Sequence, residues 1–277
     1  MAPPEGRRRL IVNADDYGRS PAINQAVLRA HREGILTTAS LMINEPGSEE
    51  AIALARQNPS LGVGLHLTLI CGHAACAPAD VPGLVDAHGR FPDRPAGPAL
   101  RYFFDRSLRP QLKAEVTAQL AKFRATGLKL DHLDGHLHLH LHPTVFGLLE
   151  PLLPEFGITH LRLTRDPLWL NLRAVPGRWL YRVGHALLFA LLPRRPGAVM
   201  RQRGIRHTSA VFGLLQDSHV DERFLMRLIP RLPAGDSELY CHPSLDQFRH
   251  EMDALISPRV RALLERHAIA LIRYQDL

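Results

Sequence analysis

The feature that most constrains this chain is a rhythm: apolar runs the length of buried strands recur from end to end, separated by stretches with helical spacing. The strand candidates are Arg9 to Asn13, Ile35 to Ile43, Gly62 to Leu69, Leu128 to His136, Ile158 to Leu163, Thr208 to Phe212, Glu238 to Cys241 and Ile269 to Ile272. Strands covered on both faces and alternating with helices make βα units, so the expected fold is α/β, a distorted (β/α) barrel of about eight strands. The first helix is bounded by its own residues. Ser20-Pro21 supplies an N-cap and a first-turn proline, Ile23, Val27 and Ala30 share a face, and Gly34 ends it. With 277 residues, 45% of them hydrophobic, the chain can fill one such barrel, and a single domain over 1–277 is expected.

Two stretches break the rhythm. Residues 71–110 are rich in Pro, Gly and Ala and read as a long loop over one face, a length that is usually functional. Residues 167–206, roughly, form a basic and apolar insert in which Trp179 to Leu192 has helical character but is too short for the roughly 20 residues of a bilayer span. The net charge of +7 is concentrated there: no acidic residue lies between Asp166 and Asp217, while eight arginines do (173, 178, 182, 194, 195, 201, 203 and 206). The rest of the chain is close to neutral, the balance of an enzyme body rather than of a nucleic-acid-binding protein. Arg7, Arg8 and Arg9 lead into Leu-Ile-Val and then Asp15 with no signal-type apolar region, so a cytoplasmic location is expected. Three cysteines, Cys71, Cys76 and Cys241, without a Cys-x-x-Cys pair, argue for buried thiols over disulfides or a zinc knuckle.

The chemistry is concentrated in four motifs. From 132 to 142 every even position is His or Asp, so a continuing strand would place imidazoles and a carboxylate on one face and leucines on the other. Same-face residues stand roughly 6.6 Å apart, so only one or two can reach a single ion; the others orient ligands, touch substrate or face solvent, and Pro143 suggests a helix by that point. The bland alternative is a solvated polar edge. Asn13-Ala14-Asp15-Asp16-Tyr17-Gly18 falls at the end of the first strand, where barrel enzymes keep their active sites. One aspartate can ligate a metal while the other takes a proton from the attacking water; the alternative is an Asp-rich turn capping the next helix, a role Ser20 suits better. His66, in Gly62 to Leu69, is by itself a core histidine, but at a shared barrel mouth it supplies the second nitrogen of a two-His, one-carboxylate set. His242, in Cys241-His242-Pro243, is the candidate general acid.

Asn13 to Gly18, Gly64-Leu65-His66, His132 to His138 and Cys241-His242-Pro243, in this order over nearly the whole chain, resemble the YdjC-like carbohydrate deacetylases, barrel-like relatives of polysaccharide deacetylases. The resemblance implies a metal-dependent hydrolase that removes the acetyl group of an N-acetylated amino sugar, with Asp16, His66 and His136 holding a divalent metal and Asp15 as base. Tyr17, Asp134 and His138 become candidates for touching substrate. Magnesium is the metal the resemblance implies, whereas two imidazole ligands favour zinc or cobalt. The regions 126–143 and 211–277 look like the hopanoid-biosynthesis-associated branch, which implies an N-acetylglucosaminyl hopanoid as substrate. The insert, with Trp169, Trp179, Leu187, Leu188 and other apolar residues between arginines, agrees with contact at the inner membrane surface, although an apolar helix in a barrel can equally be core. The rival readings are a chitooligosaccharide deacetylase, a barrel metallophosphoesterase, whose His-x-His pair would be expected near the N-terminus, and a non-catalytic metal- or membrane-binding protein. The sequence leaves open the oligomeric state, a homodimer among the options, and the roles of His138, His140 and His142.

Overall fold

The computed structural model describes residues 6–94, 96–216 and 218–277. Strands β1 (Arg8–Tyr17), β2 (Thr38–Leu41), β3 (Gly62–Leu67), β4 (Leu130–Gly135), β5 (Ala210–Phe212), β6 (Gly235–Cys241) and β7 (Ala270–Leu271) form one seven-stranded sheet. All pairings are parallel, in the order β4-β3-β2-β1-β6-β5, with β7 pairing β1 at Arg9 and Leu10. In chain order the helices are α1 (Pro21–Glu33), α2 (Ser48–Gln57), α3 (Ala96–Phe104), α4 (Arg109–Ala125), α5 (Pro143–Leu149), α6 (Leu152–Glu155), α7 (Leu168–Ala174), α8 (Trp179–Leu191), α9 (Arg194–Arg203), α10 (Glu222–Leu228), α11 (Arg249–Leu255) and α12 (Pro258–Arg266). The expected α/β, barrel-like architecture is what the chain forms, as a curled parallel sheet.

The expected strand at Ile158 to Leu163 is not a ladder. Leu161 makes an isolated bridge to Leu133 of β4 and His160 one to Arg206, while Arg165 O accepts from Val211 N of β5. The segment therefore spans the gap between β4 and β5 with one isolated bridge to Leu133 and one to Arg206, too few on either side for a ladder. That irregularity completes the curl and carries Arg162 into the interior. The start of α1 follows its local chemistry: Ser20 accepts from Ile23 N and Pro21 opens the helix.

Two other expectations are corrected. The stretch 71–110 is not only loop, because α3 forms within it, held down by buried Pro98 and by Tyr102, whose hydroxyl donates to Leu69 O. The alternating row does not continue as a strand beyond Gly135. His136–Leu141 is a kinked 3-10 segment in which Leu137 and His138 are left-handed, with φ of 50° and 58°, so the even-numbered histidines fan out instead of sharing a face. Gly135 permits the fold-back: a Cβ there would lie 3.1 Å from His140 N. The insert folds as α7, α8 and α9, and among the described residues no helix is long and apolar enough to cross a membrane.

Candidate metal centre

In a regular strand the neighbours Asp15 and Asp16 point to opposite faces. Here the pairing of β1 with β2 slips between Ala14 and Tyr17, and Asp16 is left-handed at φ 63°. This bulge re-aims Asp16 toward the ends of β3 and β4, a use to which bulges near functional sites are put. Asp16 Oδ1 lies 3.0 Å from His136 Nδ1 and 3.5 Å from His66 Nε2, while Oδ2 accepts from Arg19 Nη1 at 2.8 Å. His66 ends β3 with its other nitrogen, Nδ1, 2.8 Å from Asp134 Oδ1, and that bond turns Nε2 toward Asp16. His136 is the first residue after β4, and its ring meets that of His66 edge-on.

A divalent cation fits these residues. Asp16 Oδ1 is buried and has no hydrogen-bond partner, and one ligand atom from each of Asp16, His66 and His136 lies within 4.8 Å of the others. Unpartnered buried oxygens are costly unless something else satisfies them. The field has the right sign. Burial pushes the Asp16 carboxyl up, but His136, then His242 and His66, hold it well below the usual carboxylate range. Burial pushes His66 down, yet Asp134 and Asp15 outweigh it, and Asp16 does the same for His136, so both imidazoles bind protons more tightly than usual. A site that pulls protons onto two imidazoles attracts a metal dication for the same reason.

Beneath this cluster lies Arg162, fully buried, which the sequence reading did not single out. Its guanidinium donates to both Asp15 oxygens at 2.8 Å, lies 2.7 Å from Asp134 Oδ2 and donates to Glu238 Oε1 at 2.9 Å. Three carboxylates from three strands thus share one cation, and Tyr274 donates to the remaining oxygen of Glu238. Such an arrangement depends on every member, since removal of one leaves uncompensated buried charge. The available signals were a lone arginine in Leu161-Arg162-Leu163 and a lone glutamate in Glu238-Leu239-Tyr240.

Above the cluster opens a cavity of about 640 Å³, floored by Asp15, His66, His136 and His242 and walled by residues of α3 and α8. Its walls are largely apolar. That floor belongs to the stretch matching a known family: residues 9–266 correspond to the family described as YdjC-like protein. The chain belongs to the YdjC-like family. A relative named carbohydrate deacetylase, from Geobacillus stearothermophilus, is 32% identical over 283 residues, covering 97% of this chain and 98% of that one. A protein of the same name from Brevibacillus brevis is 43% identical over 153 residues, which cover 54% of this chain and 57% of that one, a little more than half its length. Among solved structures, an Enterococcus faecalis protein described in connection with cellobiose-phosphate cleavage superposes with a TM-score of 0.77, covering 98% of this chain and 99% of that one. At 22% identity that likeness establishes the fold.

In this YdjC-like protein the other expected site residues are distributed unevenly. Asp15, His138 and His242 line the cavity. His138 Nε2 lies 3.0 Å from the Tyr240 hydroxyl and Nδ1 3.1 Å from Thr164 Oγ1; burial, then Arg162, pushes its pKa well down. Asp134 is fully buried and does not line the cavity; it orients His66 and accepts from Ser40. Tyr17 is buried too, its hydroxyl donating to Ala51 O, which holds α2 against β1 rather than facing the cavity. His140 is bound to Arg162 O through Nε2, whereas His142 lines the cavity beside Phe103.

Proposed function

We propose that this chain is a carbohydrate N-deacetylase. The observation that carries the proposal is the buried, unpartnered Asp16 Oδ1 facing His66 and His136 on the floor of a cavity that Asp15 also lines. The name shared by its relatives supplies the substrate class, an acetylated sugar. A divalent cation held by Asp16, His66 and His136 would supply Lewis-acid polarisation of the acetamide carbonyl. Two imidazoles and one carboxylate suit zinc or cobalt, and family resemblance suggests magnesium.

The protein groups divide the proton transfers. Asp15 Oδ2 accepts one hydrogen bond, from Arg162 Nη1, and keeps a lone pair for the proton of the water that attacks the acetyl carbon. Arg162 and Asn13 fix the carboxylate's orientation so that this lone pair is not lost to rotation. His242, whose backbone N–H is anchored at 2.5 Å on Glu251 Oε2, gives a proton to the sugar nitrogen as the C–N bond breaks. Water's hydroxyl ends on acetate, the free amine carries the proton from His242, and exchange through solvent returns the proton held by Asp15 to His242.

Leu100, Phe103, Leu188 and Phe189 in the cavity wall suit an apolar aglycone better than a second sugar. We therefore favour a lipid-linked substrate, an N-acetylglucosaminyl hopanoid by family resemblance, met at a membrane surface. The test is acetate release from N-acetylglucosaminyl lipid and from N,N′-diacetylchitobiose, using metal-stripped protein with each of several divalent ions restored. Release that needs an added ion and is faster on the lipid is expected. Absence of release from either substrate with every ion would overturn the proposal.

A further inference from the structure

Helix α8 presents three faces with different surroundings. Arg182 and Phe189 are buried against the body, and Tyr181, His185 and Leu188 turn to the cavity. Trp179, Leu180, Val183, Leu187 and Leu191 do neither: they are exposed and do not line the cavity, with Leu180 at 94% and Leu187 at 66%. Leu180, Val183, Leu187 and Leu191 recur at helical spacing, so they form a ridge along one side of the helix. Across the mouth, α3 exposes Leu100, Phe103 and Phe104, the last at 74%. A substrate in the cavity can cover Phe103 and Leu188, but the α8 ridge lies outside its reach. Soluble proteins rarely leave contiguous apolar surface of this kind uncovered.

The charge around the ridge indicates what covers it. Neither α8 nor α9 contains an acidic residue, and Arg194 and Arg201 of α9 are exposed with no acid nearer in sequence than Asp166 and Asp217. Arg195 and Arg203 are partly offset by Glu150, and Arg173 lies over the ring of exposed Trp169. Exposed leucines and indoles on a segment that also exposes Arg194 and Arg201 complement a bilayer interface with anionic headgroups. We propose that α8, with Trp169 and the α3 tip, docks this protein on an anionic phospholipid bilayer with the cavity mouth toward the lipid. The inference extends the lipid-linked reading above but has its own readout.

Both tryptophans of the chain, Trp169 and Trp179, sit in this segment, so their fluorescence reports on it directly. The experiment combines that emission with co-sedimentation on phosphatidylcholine vesicles with and without phosphatidylglycerol. Expected are a blue shift and pelleting on the anionic vesicles, reduced by salt, with binding lowered roughly tenfold or more in Leu180→Glu/Leu187→Glu. That variant keeps the wild-type rate of acetate release from diacetylchitobiose, because neither residue touches the cavity. Wild-type protein that stays in the supernatant with unchanged emission overturns the proposal. So does a blue shift that appears without vesicles and tracks a doubling of mass by light scattering, which assigns the ridge to a second copy. Vesicle binding without turnover of any substrate leaves the docking surface standing and defeats the deacetylase reading instead.

Discussion

The floor and the wall of the cavity are built on opposite principles. On the floor, side chains from β1, β3, β4 and β6 hold one another through charge: Arg162 binds Asp15, Asp134 and Glu238, and Asp134 in turn fixes His66. The wall, from α3 and α8, is apolar, partly exposed and tied to the body largely through bonds to backbone carbonyls, among them Arg182 to Leu215 O, Tyr181 to Leu214 O and Tyr102 to Leu69 O. The floor is preorganised for one chemistry, whereas the wall tolerates change and, in the proposed reaction, would meet the aglycone of the sugar. Substitutions should therefore separate the two: floor variants lose chemistry or metal, and wall variants lose neither.

The largest effect is expected from Asp15→Asn, which is isosteric, loses the proton acceptor and sets an NH₂ group against Arg162. Turnover in the acetate assay should drop by roughly 10²–10⁴ while metal affinity by calorimetry is unchanged. A parallel loss of metal would move Asp15 from base to ligand and blur the division. Next is Asp134→Asn, whose amide must set an NH₂ group against either Arg162 or His66. Metal affinity should weaken by roughly 10–100-fold; unaltered affinity would mean that His66 needs no orienting partner.

A smaller effect concerns pH. His140 Nε2 donates to Arg162 O, its Nδ1 is buried without a partner, and burial pushes its pKa from 6.5 down to about 4. The unfolded chain therefore takes up the proton first, so stability present above pH 6.5 is lost as pH falls toward 4. Between pH 7 and pH 5 this residue should cost the fold about 2 kcal/mol, read by denaturant unfolding of wild type against His140→Gln. Equal losses in both proteins would remove His140 from the floor's account. Smallest is Leu180→Ser on the wall, expected within about 0.5 kcal/mol of wild type in the same unfolding experiment. A loss of several kcal/mol would show that the ridge is packed after all.

How much of this was legible depended on whether the cause was local. The α1 caps at Ser20, Pro21 and Gly34 follow from neighbouring atoms and are where the sequence puts them. The meeting of Asp16, His66 and His136 was readable because parallel strands bring their C-terminal ends to one rim, and each residue marks such an end. The row from His136 to His142 misled, because a period of two reads as strand while the break at Gly135 and the left-handed Leu137 and His138 are set by the fold-back onto His140. Arg162 was invisible in role for a deeper reason: its partners come from positions 15, 134 and 238, and no local pattern announces a cation shared over that separation. Helix α3 was hidden in a Pro- and Gly-rich stretch, because its helicity comes from burying Tyr102 rather than from propensity.

The most direct test is diffraction from crystals grown with zinc, cobalt or manganese, recorded at the absorption edge of each metal, alongside calorimetric titration of Asp16→Ala, His66→Ala and His136→Ala. One ion per chain bonded to Asp16, His66 and His136, and lost in all three variants, is the result expected. An anomalous peak elsewhere, or affinity that survives the three substitutions, would contradict it.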